Sequence, residues 1–208
     1  MRTSNSKNLI LDTAEKLFAQ KGYDGASMRA IAEKAGVAQG LIHYHCKTKE
    51  QLFEMIISRR SSEINRDRYH LLKKAFEDAK EGLPTIEDVL FTFIRPALEK
   101  GQNNWRRYYT SILGFISHSD DKRSRYLIDK YYNPIAKEYI KALKKIMPDV
   151  DGAEIYWGYF YATGVAVYSM ARTGRIKELS DGKLDEENME EKIERIVKFV
   201  AGGLRSLK

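Results

Sequence analysis

The chain has 208 residues, a formal charge of +7 at pH 7 and a pI near 9.3, with 36 lysines and arginines against 29 aspartates and glutamates. That length allows one large or two small domains with a buried core, and the basic balance suits either a polyanionic partner or a plain solvated surface. A single cysteine, Cys46, excludes an internal disulfide, and the opening MRTSNSKNLILDTAEKLF lacks a signal-peptide pattern, so a cytoplasmic protein is expected.

Apolar residues recur at helical spacing, alternating strand patterns are nearly absent and there are four prolines, which predicts an all-α fold. Ile10, Ala14, Leu17 and Phe18 mark a first helix from about Ser6 to Lys21, with Gly22 placed as a left-handed C-cap. Ser27 is positioned to cap a second helix that turns Ile31, Ala32 and Ala35 inward, and Gly36 permits the positive φ of a sharp turn. A short third helix follows, from about Ala38 to Tyr44. Thr48, with Gln51 three residues on, forms a capping-box signature for a longer fourth helix carrying Leu52, Phe53 and Ile56. This succession predicts a helix-turn-helix.

Inside it, AGVAQGLIHYHCKTKEQLF sets His43 and His45 beside Cys46. The two histidines would project about 200° apart on a regular helix. His43 with Cys46 offers half of the ligand set a structural zinc takes, so no metal is expected and Cys46 reads as a small buried hydrophobe.

Farther on, KEGLPT (Lys80 to Thr85) combines a glycine stop, a proline and a new cap. The N-terminal domain is nevertheless expected to close earlier, giving domains over 1–60 and 61–208. Further helices are predicted over Ile86 to Lys100, Asn104 to Ser117, Asp120 to Met147, Gly152 to Thr173 and Asp185 to Leu207. Asn133-Pro134 either kinks the third of these or starts a new helix. The acidic run from Asp185 reads as the solvated face of the last helix. IYWGYFYATGVAVYSMA, ending at Ala171, carries no charge, but its Tyr, Gly, Thr and Ser content argues for a helix buried between others rather than a membrane span. Burial on two sides suggests a partner subunit.

The stretch ILDTAEKLFAQKGYDGASMRAIAEKAGVAQGLIHYHCKTKEQLF resembles the DNA-binding domain of the TetR (tetracycline repressor) family of bacterial transcription regulators. The likeness covers about Asn5 to Ser62 and rests on the Phe18 to Tyr23 stretch, the Arg29 to Ala32 run, Ala-Gly-Val at Ala35 to Val37 and Lys-Glu-x-Leu at Lys49 to Leu52. It implies a three-helix helix-turn-helix domain followed by a helical ligand-binding and dimerisation domain. It also implies a third helix in the DNA major groove, where Gln39 pairs with adenine edges, His43 and Tyr44 reach bases or phosphates, Gly40 allows close approach and Leu41 lies alongside. The N-termini capped by Ser27 and Thr48 would take phosphates, with Arg29 and Lys49 as cations and His45 at a backbone-contact position. Ala38, His43 and Cys46 depart from the commoner Ser, Tyr and aromatic residues, which bears on the bases read rather than on DNA binding.

The resemblance further implies a homodimer on a palindromic operator, controlled by a small effector. The expected dimer helices are the uncharged Ile155 to Ala171 segment and the last helix, whose stripe is Met189, Ile193, Ile196, Val197, Val200 and Leu204, with Gly164, Ala166 and Ala201 to Gly203 allowing close approach. An ordinary intrachain core is the alternative. Aromatic density at Trp105, Tyr108, Tyr109, Phe115, Tyr126, Tyr139, Trp157, Phe160 and Tyr161 suggests a pocket for an apolar or aromatic effector, or simply core. Arg95, alone in an apolar run, would anchor an effector carboxylate or be salt-bridged. The C-terminal sequence also looks similar to fatty-acid-responsive members. No phosphate loop, nucleophile elbow or His-Glu metal motif is present, so no catalysis and no cofactor are expected. A helical regulator acting through protein contacts or binding RNA is the competing reading.

Overall fold

The amphipathic segments form helices in a computed structural model that describes residues 2–80, 82–99, 105–171, 173–185 and 188–207. In chain order these are α1 (Arg2–Gly25), α2 (Met28–Ala35), α3 (Gln39–His45), α4 (Lys49–Asp78), α5 (Ile86–Leu98), α6 (Trp105–His118), α7 (Lys122–Tyr131), α8 (Asn133–Ile146), α9 (Gly152–Met170), α10 (Arg175–Leu179) and α11 (Met189–Arg205). The all-α expectation holds among the described residues. None of their helices is long and apolar enough to cross a membrane.

Local chemistry explains most boundaries. Thr85 and Asp88 exchange side-chain bonds with each other's backbone N–H, the full capping box that starts α5. At Asn133-Pro134 the chain begins a new helix, with proline in the first turn where a missing N–H costs nothing. Gly22 departs from the expected left-handed cap: its φ is +70° but its ψ is 174°, so it kinks α1 instead of ending it. The short α10 was not anticipated.

The chain packs as two compact units, each with its own core. The first contains α1 to α3, α4 as far as Ser62, α6 and α7. Phe18 stacks on Tyr23, and both rings meet Phe53 edge-on at 5.0 and 5.1 Å. Ile10, Ile31, Ile42, Leu52 and Ile56 are buried in the same unit, to which α6 adds Tyr109, Ile112 and Ile116. Glu15, 1% exposed, accepts from Arg60 Nε at 3.0 Å and Nη2 at 2.6 Å, tying α1 to α4. The second unit holds α4 from Glu63, α5 and α8 to α11. As packing units, the segment of α6 and α7 groups with the N-terminal helices, through apolar faces and charge pairs that lie far apart in sequence.

In the second unit the last helix turns its apolar stripe inward. Ile193, Ile196, Val197, Val200 and Leu204 are buried, against α5 and α9 of the same chain, so that stripe is intrachain core and not a free dimer face. Gly158 permits the closest approach, since a methyl group there would overlap the Leu204 side chain.

Candidate functional site

Ser27 stops the chain from entering α2 early and caps it, its Oγ accepting from the Ala30 N–H at 3.1 Å. Gly36, at φ +65° and ψ 33°, then reverses the chain while its N–H and that of Val37 bond back to Glu33 and Ala32. The result is a tight, internally bonded turn that aims α3. On α3, Ile42 is fully buried and Cys46 sits beneath it, Sγ donating to the Ile42 carbonyl. At about 100° per residue, Gln39, Gly40, His43 and Tyr44 fall within one arc of about 140°. All of them are exposed, Tyr44 by 75%. Leu41 and His45 lie on the other arc and are half-buried, His45 with Nε2 3.2 Å from Ser6 Oγ. His43 Nδ1 rests 3.3 Å from the Lys47 carbonyl. The two imidazoles and the thiol thus point to different partners, and no cluster of three or more His, Cys, Asp or Glu able to hold a metal ion occurs among the described residues.

The start of α4 is built from a second cap. Thr48 Oγ1 accepts from Gln51 N–H at 3.2 Å, and Gln51 Oε1 accepts from Lys47 N–H at 2.9 Å, one residue before the position a capping box would use. Ser27, Arg29 and Thr48 are exposed and Lys49 is half-buried, its ammonium 4.3 Å from the Tyr23 ring centroid. Tyr23 donates to Glu50 at 2.7 Å and carries the Arg123 guanidinium of α7 over its ring at 3.5 Å. Burial, then the neighbouring carboxylate, pushes the Tyr23 hydroxyl up to about 12, so it remains a donor. That donation in turn holds the Glu50 carboxyl below its ordinary value. A turn later Glu54 accepts from Lys130, Tyr131 and Tyr126 at 2.7, 2.9 and 3.1 Å. Helix α7 is thereby fastened along α4.

The expected effector residues divide between the units. In the first unit Tyr109 is fully buried core, Trp105 is half-buried under the Arg60 guanidinium at 4.1 Å, Tyr108 lies 5.9 Å from the Lys16 ammonium, and Tyr126 serves Glu54. In the second, Tyr139 is buried, whereas Trp157, Phe160 and Tyr161 are 53%, 64% and 59% exposed. Arg95 takes the salt-bridged alternative, pairing with Glu99 and Glu190. An open cleft of about 650 Å³ in the first unit, lined among others by Lys7, Leu11, Gln51, Glu54 and Arg59, contains none of them.

Residues 92–203 match the family model for the tetracyclin repressor-like C-terminal domain, and residues 10–56 match that of bacterial regulatory proteins of the tetR family. The chain belongs to the TetR family. Among curated TetR-type relatives, the transcriptional repressor AcnR of Corynebacterium glutamicum is 40% identical over 52 residues, covering 25% of this chain and 28% of its own length. Matches of that kind span well under half of the relatives. The fold is similar over nearly the whole chain to the fatty acid degradation regulator FadR from Bacillus halodurans (TM-score 0.61, 19% identity, 96% of each chain). It is similar also to FadR from Bacillus subtilis in complex with stearoyl-CoA (TM-score 0.58, 19% identity, 94% of this chain and 98% of that one).

Two features of this TetR-family chain emerge from the packing. On α9, Ile155, Gly158, Ala162, Ala166 and Met170 face the core, leaving Tyr156, Trp157, Phe160, Tyr161 and Tyr168 as an open aromatic face, and Phe199 of α11 is exposed as well. Gly164, Gly202 and Gly203 are equally open. The second feature is Arg68, 8% exposed, on the inward stripe of α4 with Ile64 and Leu72. Its Nε donates to the Phe93 carbonyl of α5 at 2.9 Å. The spacing Ile64, Arg68, Leu72 was the available signal, a lone cation at a core position.

Proposed function

We propose that the chain is a homodimeric, sequence-specific duplex DNA-binding regulator, acting as a repressor on a palindromic operator. The observation that carries this reading is α3: an internally bonded turn holds it rigidly while Gln39, Gly40, His43 and Tyr44 occupy its exposed arc. Gln39 has the paired donor and acceptor that match an adenine edge, and Gly40 lets the helix lie close to the groove floor. Exposed Ser27 and Thr48, at capped helix N-termini, offer backbone amides to phosphates, with Arg29 and Lys49 as counter-charges. The open aromatic face of α9, with Phe199, Gly202 and Gly203, is the surface through which two copies join, replacing the stripe that the fold buries.

An apolar effector bound by the second unit then shifts the dimer away from the spacing of about 34–36 Å that successive major grooves require. The helix α4, which starts at the phosphate-facing cap and continues into the second unit, is the covalent link for that shift. A ligand acts only through its differential affinity for the two states. A hundredfold loss of operator affinity takes about 2.7 kcal/mol of coupling.

Footprinting on the region upstream of the protein's own gene tests the reading. Two protected half-sites related by a two-fold axis are expected, and uniform protection that scales with protein concentration would contradict it.

A further inference from the structure

We propose that Arg68 is an anion-binding residue, holding the carboxylate of an apolar organic acid where α4, α5, α8 and α9 meet in the second unit. This rests on the reading above that the unit binds an effector.

A buried guanidinium is costly unless a carboxylate or comparable anion stands against it. The other arginines of the interior follow that rule: Arg60 has Glu15 at 2.6 Å and half-buried Arg95 has Glu190 at 3.2 Å. Arg68 breaks it, for no carboxylate lies within ion-pair distance of it among the described residues. Its Nε is taken by the Phe93 carbonyl at 2.9 Å, and Nη1 reaches Asn65 Oδ1 only at 3.5 Å. A guanidinium has a planar fork of five N–H donors, so most of its donor capacity is left for a planar anion. Bridging α4 to α5 through one carbonyl needs no charge; a neutral donor would do it.

The surroundings fit an acid with an apolar body. The Phe93 ring packs against the guanidinium at 4.4 Å and against Tyr139 and Tyr159 at 5.0 and 5.5 Å, giving aromatic walls from three helices. Tyr139 places its hydroxyl 3.1 Å from Thr92 Oγ1 and donates it to the Arg68 main-chain carbonyl at 3.4 Å, which fixes its ring between α4 and α5. Burial raises both the Tyr139 and the Tyr159 hydroxyls, with Arg68 opposing the rise, and both stay protonated at neutral pH. Neither can act as the missing counter-ion. Arg95, the cation that sequence alone suggests for this task, is already paired.

The test uses the full chain, without DNA, titrated with dodecanoate and with dodecanol below their aggregation limits. Wild-type protein should bind dodecanoate at least tenfold more tightly than dodecanol, Arg68→Met should lose that preference while binding dodecanol as before, and Arg68→Lys should retain part of it. In parallel, the carboxyl carbon of labelled dodecanoate on the wild-type protein should report an ionised group to a pH below that of the free acid. An unchanged preference in Arg68→Met, a bound carboxyl that titrates at or above its free value, or a wild-type protein that takes neither compound would each overturn the assignment. Because no DNA is present, a failure of operator recognition leaves these results readable on their own.

Discussion

Gly22 and Gly36 both carry positive φ, and each is required for a different reason. Gly36 uses the left-handed conformation to turn the chain between α2 and α3, with nothing within 4 Å of the place a methyl would occupy. Gly36→Ala should therefore cost only the backbone term, about 1–2 kcal/mol, read as a fall in thermal midpoint with the duplex specificity unchanged. At Gly22, positive φ with extended ψ is a region nearly closed to other residues, and it sets Tyr23 against Phe18 and Phe53. Gly22→Ala should be at least as damaging and should disturb that aromatic cluster. On α3 and α4, Gln39→Ala should relax preference at particular base pairs, while Lys49→Ala should weaken all duplexes alike and flatten the salt dependence. Identical specificity profiles for Gln39→Ala and the parent would remove Gln39 as a reader.

At the scale of elements, the caps make claims that pH can check. Asp121 starts α7, accepting from the N–H groups of Arg123 and Ser124 and from the hydroxyls of Ser119 and Ser124, which hold its carboxyl far below the ordinary value. A depressed folded-state value means that the charged cap contributes stability above the ordinary aspartate range and loses it as pH falls toward the depressed value. Asp121→Asn should cost about 1 kcal/mol at neutral pH. Its deficit relative to the parent should shrink in acid, and a deficit independent of pH would show that the charge is not what caps the helix.

The elements also show why parts of the fold were legible and others were not. Ser27, Gly36, Thr48 and Gln51 act on neighbours within four residues, so the turn could be read locally. The assignment of α6 and α7 to the first unit depends on contacts such as Arg123 on Tyr23 and Lys130 on Glu54, separated by 76 residues in the second case. No periodicity reports such contacts. On α9, apolar on most sides, pattern alone could not separate the inward Ile155 and Ala162 face from the open Trp157 and Phe160 face. Arg68 is hard to read from sequence because it sits in the polar run SSEINRDRYH, where one inward cation looks like its solvated neighbours.

For the whole molecule, the open face of α9 and Phe199 gives the dimer its most direct check. Trp157→Asp with Phe160→Asp places charge where two aromatic faces would meet, and sedimentation should show a folded monomer with sharply weakened operator binding. A double variant that stayed dimeric would move the interface elsewhere. Whether α3 reads sequence is tested by selecting binding sites for the wild-type protein from a random duplex library at moderate salt. Enrichment of a two-fold symmetric motif, bound about a thousandfold or more above random duplex, is expected, with Gln39→Ala losing preference at symmetry-related positions of that motif. A library that emerges unenriched, bound with affinity set by salt alone, would contradict it.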